Sequence, residues 1–218
     1  MATIILIGGG SASGKTFIIQ EVTKLVGESN ITHISIDDYY NKVDNMPIED
    51  RRKINYDHPR AFDWKLFRLH LEELKKDQTI EKPIYDYKIL NRSDKTETIV
   101  PKKVILVEGI TALVDKKCRD LANLKIFINA SRERRLVRRI ERDQKERART
   151  FENIVEQYFD SVQPMYEEII GPSQVYADVI INNDGVKNNS IRALTAIIND
   201  YINHWKIPLI SGFFCCSN

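Results

Sequence analysis

The sequence predicts an α/β fold with a parallel central sheet, on three observations. Ile4-Ile5-Leu6-Ile7, apolar and mostly β-branched, runs into the turn Gly8-Gly9-Gly10-Ser11-Ala12-Ser13-Gly14-Lys15-Thr16, and helical spacing of apolar residues follows at once. A second apolar strand, Lys103-Val104-Ile105-Leu106-Val107, ends in Glu108-Gly109. Further short apolar runs, at residues 32–36, 124–128 and 176–181, alternate with helical patterns, as strand–helix–strand units do.

The first turn carries the chemistry. From Gly9 it reads G-x-x-x-x-G-K-T, the phosphate-loop spacing. Glycines let the backbone curl so that successive N–H groups of Gly9, Gly10, Ser11, Ala12, Ser13 and Gly14 point inward, and the next helix N-terminus completes an anion cradle. Lys15 supplies a mobile positive charge for β- and γ-phosphates, and the Thr16 hydroxyl is a hard oxygen suited to Mg²⁺. Phe17, Ile18, Val22, Leu25 and Val26 mark the helix that follows.

With 218 residues, one domain is expected over residues 1–207, with a small insertion and a lid, and a C-terminal tail at 208–218. A net charge of +2 gives no global field for nucleic acid. No apolar run is long enough to span a membrane, and the N-terminus lacks the pattern of a secretory leader. Cys118, Cys215 and Cys216 have no C-x-x-C spacing, so neither a zinc site nor a disulfide framework is expected, and a cytoplasmic location is the simplest.

Along the chain, Thr32-His33-Ile34-Ser35-Ile36 reads as a strand followed by Asp37-Asp38-Tyr39-Tyr40. In an open parallel sheet the ends of strands share an edge, so these carboxylates are expected beside the phosphate loop. There one serves as general base or magnesium ligand, or else caps a helix. Residues 41–60 are polar and turn-rich, with Tyr56 and Asp57 placed either to clamp a small ligand or to pack the loop. Asp63 reads as the N-cap of a helix carrying Trp64, Leu66, Phe67, Leu69, Leu71 and Leu74. Pro83-Ile84-Tyr85-Asp86-Tyr87 begins an extended stretch to Arg92, and Thr96-Glu97-Thr98-Ile99-Val100 alternates as an edge strand, so residues 80–101 read as an antiparallel insertion. Glu108 resembles the acid of a Walker B strand, which holds magnesium through its water shell, the alternative being a strand-end turn acid.

Arg135, Arg138, Arg139 and Arg142 share one helical face, with Lys145, Arg147 and Arg149 beyond, and Glu133, Glu141 and Asp143 interrupt the run. A salt-bridged solvated helix, an RNA-binding face and a lid over a triphosphate all fit such a run. Phe151, Ile154, Val155, Tyr158, Phe159 and Val162 mark an amphipathic helix carrying Gln157 and punctuated by Pro164 and Pro172. Tyr176-Ala177-Asp178-Val179-Ile180-Ile181 reads as the last strand, and a helix over 190–202 closes the fold.

Taken together, the phosphate loop, Ser35-Ile36-Asp37-Asp38-Tyr39-Tyr40, residues 55–63, Pro83-Ile84-Tyr85-Asp86-Tyr87, Val107-Glu108-Gly109-Ile110, the arginines of residues 138–149, Gln157-Tyr158 and Tyr176-Ala177-Asp178-Val179-Ile180-Ile181 resemble the uridine kinase family, which is related to phosphoribulokinase. The resemblance implies a P-loop kinase three-layer fold with a parallel sheet, a small antiparallel β insertion and a helical arginine-rich lid over about 132–150. It implies transfer of the γ-phosphoryl of ATP or GTP to the 5′-hydroxyl of uridine or cytidine. It makes Asp37 the general base. Tyr40, Asp57, Arg139, Arg149 and Gln157 hold the nucleoside, and Tyr56 and Tyr85 flank the base. Thr16, Glu108 and Asp37 serve Mg²⁺, Arg142 and Arg147 close on the triphosphate, and a homo-tetramer is expected.

Three positions depart from the family pattern. Leu90 stands where a histidine usually reads the pyrimidine edge. Arg60 replaces an acid of the loop at 55–63 and adds charge expected near the acceptor. Ala148 replaces the glycine between two lid arginines. Two alternatives stay open at this point: a related kinase with another hydroxyl acceptor, and a nucleotide- or RNA-binding protein without catalysis.

Overall fold

Strand β1 (Thr3–Gly8) is buried along its whole length. Its side chains are apolar on both faces: Ile4 and Leu6 join one core cluster, Ile5 and Ile7 the other. The computed structural model describes residues 2–147, 149–185 and 187–203. The other parallel strands are β2 (Ile31–Ser35), β5 (Val104–Glu108), β6 (Leu124–Asn129) and β7 (Val179–Asn182), in spatial order β2-β5-β1-β6-β7. The strand feeding the phosphate loop is therefore the middle one.

Helices cover both faces. On one lie α1 (Lys15–Val26) and α8 (Lys187–Asn203), which bury Ile18, Ile19, Val22, Leu194 and Ile198. On the other lie α3 (Trp64–Lys75) and the short α4 (Lys116–Leu121), burying Phe67, Leu71, Leu74 and Cys118. Asp63 caps α3 as expected, its carboxylate accepting from Leu66 N–H at 3.0 Å.

Between these lie α2 (Ile48–Arg51), a short helix within the polar stretch, and the hairpin β3 (Ile80–Asp86) and β4 (Asn91–Ile99), which is antiparallel and separate from the main sheet. The long arginine helix is α5 (Arg132–Arg147). It is followed by one helical run: α6 (Phe151–Gln157), a wide π turn, α7 (Gln163–Met165) and a second π turn.

Several local expectations are corrected. Phe17 and Leu25 of α1 are exposed at 44 % and 65 %, and Ile19 takes the inward position instead. Ile36 lies not in β2 but in a tight turn over Ile36–Tyr39. The extended stretch does not run to Arg92, because residues 87–90 form the hairpin turn, with Leu90 at φ +51. Pro164 does not interrupt its helix: it lacks an N–H, and the flanking turns widen to i→i+5 bonds such as Gln163 N–H to Tyr158 O. In that run Phe151 and Phe159 face outward while Ile154, Tyr158 and Val162 are buried. The last strand starts at Val179, after a 3₁₀ turn over Pro172–Tyr176. No helix among the described residues is long and apolar enough to cross a membrane. The tail at 208–218, with Cys215 and Cys216, and Ala148 lie outside the described residues.

Phe67 is fully buried between the rings of Tyr39, 4.9 Å away, and Trp64, 6.0 Å away. Phe67→Ala should cost about 3–5 kcal/mol in chemical denaturation, through lost transfer energy and the cavity left behind. Gly9 has φ +143, and a Cβ there would lie 2.3 Å from the Ile128 carbonyl oxygen. Gly9→Ala should therefore cost about 2–4 kcal/mol by the same measurement, since backbone must move to admit the methyl. A loss below about 1 kcal/mol would show slack in this turn.

Candidate active site

The site forms where strands end. Parallel register sets Ile7 and Ser35 on either side of Glu108, so the chain leaves β1, β2 and β5 side by side on one edge. From β1 comes the phosphate loop, from β2 Asp37, and from β5 the Glu108 carboxylate.

The loop is built as a cradle. Ala12 takes φ +59 and Gly14 φ +97, and Ser13 N–H closes onto Gly10 O at 3.1 Å. Gly14 has no room for a side chain, since a Cβ would lie 2.4 Å from Asn183 Nδ2. Asn183 itself braces the loop by donating to Ser13 O at 2.7 Å, and Arg138 donates to the same carbonyl at 3.4 Å. Lys15 donates to Gly9 O at 2.8 Å and Gly10 O at 3.0 Å, which leaves one of its three N–H groups for a ligand. Burial lowers its pKa, opposed by the charges of Glu108 and Asp37.

Thr16 Oγ1 donates to Glu108 Oε1 at 2.7 Å. Burial raises Glu108, but the His33 ring, whose Nε2 lies 3.6 Å away, the charge of Lys15 and the Thr16 hydroxyl outweigh it and leave the carboxyl below its ordinary pKa. Asp37 is shifted the other way, first by burial and then by repulsion from Glu108. Two carboxylates that repel each other beside a threonine hydroxyl are the hard-oxygen set a magnesium ion takes, with phosphates and water completing its shell. The residues fit that ion without a dedicated cage. No group of three or more His, Cys, Asp or Glu among the described residues is arranged as one.

The two acids after β2 divide their work. Asp38 is paired with the buried Lys82 of β3 and accepts from Tyr85 N–H at 3.3 Å, so it ties the turn to the hairpin. Asp37 lines the cavity, and Tyr87 donates its hydroxyl to Asp37 Oδ2 at 3.0 Å. Neither acid caps the turn, which Ser35 does by accepting from Asp37 N–H at 3.3 Å.

The part of the cavity beyond Asp37 is walled by aromatic rings. Tyr40 sits 5.0 Å from Tyr56 and 4.9 Å from Tyr85, edge to face. The loop at 41–62 is fastened to the hairpin by Asn91, which accepts from Val43 N–H and donates to Asp44, both at 2.8 Å, and by Tyr56 donating to Leu90 O at 3.4 Å. Asp57 is buried, and its pKa is raised by burial against the pull of Arg139, Arg142 and Arg147. The Asx-turn of this loop is made by Asn55, not Asp57. Leu90 lines the cavity and offers it an apolar side chain.

Helix α5 closes the third side, and its face carrying Arg135, Arg138, Arg139 and Arg142 turns inward, while Arg132 and Arg134 are exposed. Arg139, 5 % exposed, donates to Ser11 of the phosphate loop and to Gln157 Oε1, both at 2.8 Å. Arg149 donates to the same Gln157 oxygen at 2.5 Å, so the amide NH₂ is the part of Gln157 still free to address a ligand. Arg142 and Arg147 line the cavity, and the Arg147 guanidinium lies 4.6 Å above the Tyr87 ring. Arg135, the first of the expected face, is 2 % exposed under the loop and stacks on Tyr166 at 3.6 Å.

One cavity of about 1900 Å³ is shared by the phosphate loop, Asp37, Glu108, the tyrosine wall, Asp57 and these arginines. A pocket for one small ligand measures roughly 300–1,000 Å³, so this space has room for two. Gly9, Gly10 and Ser13 shape the loop from behind rather than lining the cavity. Arg60 is exposed and is not among the lining residues, so the charge expected beside the acceptor is not there. Sequence reasoning missed Tyr87 and Asn183, whose partners lie 50 and 170 positions away. It also passed over Asp143, although its spacing of four from Arg139 and Arg147 is legible.

Comparison with known proteins agrees with this geometry. The sequence model of the Phosphoribulokinase / Uridine kinase family matches residues 4–190. The chain is 42 % identical over 200 residues to the uridine kinase of Macrococcus caseolyticus, covering 92 % of this chain and 97 % of that one. It is 43 % identical over 188 residues to the uridine kinase of Bacillus pumilus, covering 86 % and 90 %. Among solved structures, phosphoribulokinase from Rhodobacter spheroides superposes with a TM-score of 0.63 at 16 % identity, over 83 % of this chain and 70 % of that one. A phosphate loop on the middle strand, an acid at the end of β5, another just after β2 and a match along most of the chain give one conclusion: this protein belongs to the phosphoribulokinase/uridine kinase family.

Proposed function

We propose that this protein transfers the γ-phosphoryl group of ATP or GTP to the 5′-hydroxyl of uridine or cytidine, giving the nucleoside monophosphate. One observation carries the reading: Asp37 lies in a single cavity between the phosphate loop on one side and Asp57 with the tyrosine wall on the other. The curated uridine kinases that match over most of the chain support it.

Phosphoryl transfer needs alignment and charge neutralisation more than covalent help. In this reading the triphosphate lies on the backbone N–H groups of residues 9–14, with Lys15, Arg142 and Arg147 meeting its charge. Asp57 takes the ribose hydroxyls, and Arg139, Arg149, Tyr40 and the Gln157 amide NH₂ complete that pocket. Tyr56 and Tyr85 flank the base. The 5′-hydroxyl then faces Asp37, which accepts its proton as the oxygen attacks phosphorus. Tyr87 occupies Oδ2 of that carboxylate, leaving Oδ1 for the acceptor. Thr16, Glu108 and Asp37 are the residues that would hold magnesium, which supplies further neutralisation of phosphate charge. An RNA-binding reading loses its basis, because Arg135 and Arg139 are buried rather than displayed.

A coupled ADP-release assay with Mg-ATP tests this against uridine, cytidine, other nucleosides, ribulose 5-phosphate and pantothenate. Uridine- or cytidine-dependent turnover is expected, with Asp37→Asn lowering kcat by roughly 10²–10⁴-fold. Turnover only with another acceptor, or full activity in Asp37→Asn, would reject the reading. Leu90→His restores a hydrogen-bonding group beside the base and should lower KM for uridine by roughly two- to tenfold. A raised KM would show that the apolar wall is itself the recognition surface.

A further inference from the structure

Asp143 has 0 % exposure, yet four guanidiniums converge on it. Arg142 grips Oδ1 with Nε at 2.8 Å and Nη2 at 2.7 Å. Arg147 Nε stands 3.7 Å from the same oxygen. Arg139 Nε and Arg149 Nη1 each stand 3.7 Å from Oδ2, which accepts no hydrogen bond among the described residues. Helical spacing of four accounts for Arg139 and Arg147. It does not account for Arg149, which lies past the end of α5 and is folded back by its own N–H donating to Asp143 O at 3.2 Å.

These four arginines all line the cavity, and side by side they repel. A carboxylate at their centre offsets that repulsion, and burial keeps water from screening it. The grip is uneven. Arg142 is held by two close contacts, while the other three are at distances that restrain them electrostatically without tying up their donors. Arg139 and Arg149 spend donors instead on Ser11 and Gln157. Through them one carboxylate reaches the phosphate loop and the acceptor pocket together.

We propose that Asp143 is a positioning residue that gathers Arg139, Arg142, Arg147 and Arg149 over the cavity, and through them sets donor and acceptor binding at once. The inference rests on the phosphotransfer reading above. It assigns Asp143 no contact with either substrate.

Asp143→Asn, Asp143→Glu, Arg149→Lys and the Asp143→Asn/Arg149→Lys double variant of the full chain test it. Thermal melts, kcat, KM for ATP and for the acceptor, and calorimetric Mg-ATP affinity without acceptor are measured for each. Asp143→Asn should lower kcat at least 100-fold per folded molecule and raise both KM values and the Mg-ATP Kd at least fivefold. A counter-ion with a purely structural role would change the melt alone. Arg149→Lys should raise chiefly the acceptor KM, and the double variant should lose far less than the product of the two single losses, because Asp143 acts through Arg149. Constants within twofold of the parent in Asp143→Asn, or multiplicative losses in the double variant, would overturn the proposal. Should Asp143→Asn fail to fold, Asp143→Glu decides: the charge is kept but displaced, so at least a fivefold loss in kcat with an unchanged melt supports the proposal, and parental constants overturn it. If the parent phosphorylates no acceptor, the functional reading falls separately, and the Mg-ATP affinities of the variants still decide the role of Asp143.

Discussion

The site depends on the hydrogen-bonded register of three parallel strands. Because Ile7, Glu108 and Ser35 stand abreast, the phosphate loop, the Glu108 carboxylate and Asp37 emerge within reach of one another. A slip of one residue in β5 would turn Glu108 to the opposite face of the sheet and end its contact with Thr16. Burial specifies the register: Ile105 and Val107 pack into one core cluster, Val104 and Leu106 into the other, and neither face tolerates exchange with the acid at the strand end.

Charge is the second organising theme. Asp37 and Glu108 face Lys15 across the loop, and burial and mutual influence move all three from their ordinary pKa values. On the far side, an arginine cluster is gathered about Asp143 and aimed inward. A pocket arranged this way holds a polyanion on one wall and presents a carboxylate to its end. The hairpin contributes through Tyr87, which bonds Asp37 and lies beneath Arg147, so the hairpin, the acid after β2 and the arginine helix meet at one ring.

Much of this was legible locally. The phosphate loop, the Walker-like strand, the Asp63 cap and the hairpin each rest on residues close in sequence, where glycine, period-two alternation and capping chemistry act over a few positions. Less was legible where a local pattern admits several environments. The face Arg135-Arg138-Arg139-Arg142 has the same spacing whether solvated, bound to RNA or folded inward. Phe17 and Phe159 fit an apolar stripe yet are half exposed. Pro164 reads as a breaker, but widened turns around it keep the helix running.

By itself, then, the sequence determined the kinds of element, their order and the place of the phosphate loop, because strand alternation, the glycine turn and helix caps are local forces. The tertiary structure decided which acid faces the cavity and which is tied away. Asp37 and Asp38 are neighbours with the same side chain, and only Lys82 of the distant hairpin separates their roles. It also decided that Arg60 lies outside and Arg139 inside, and that Asp143, an interruption in the arginine run, stands at the centre of it. Those outcomes depend on long-range packing and on the charge field of groups brought together only when the sheet, the hairpin and the arginine helix have met.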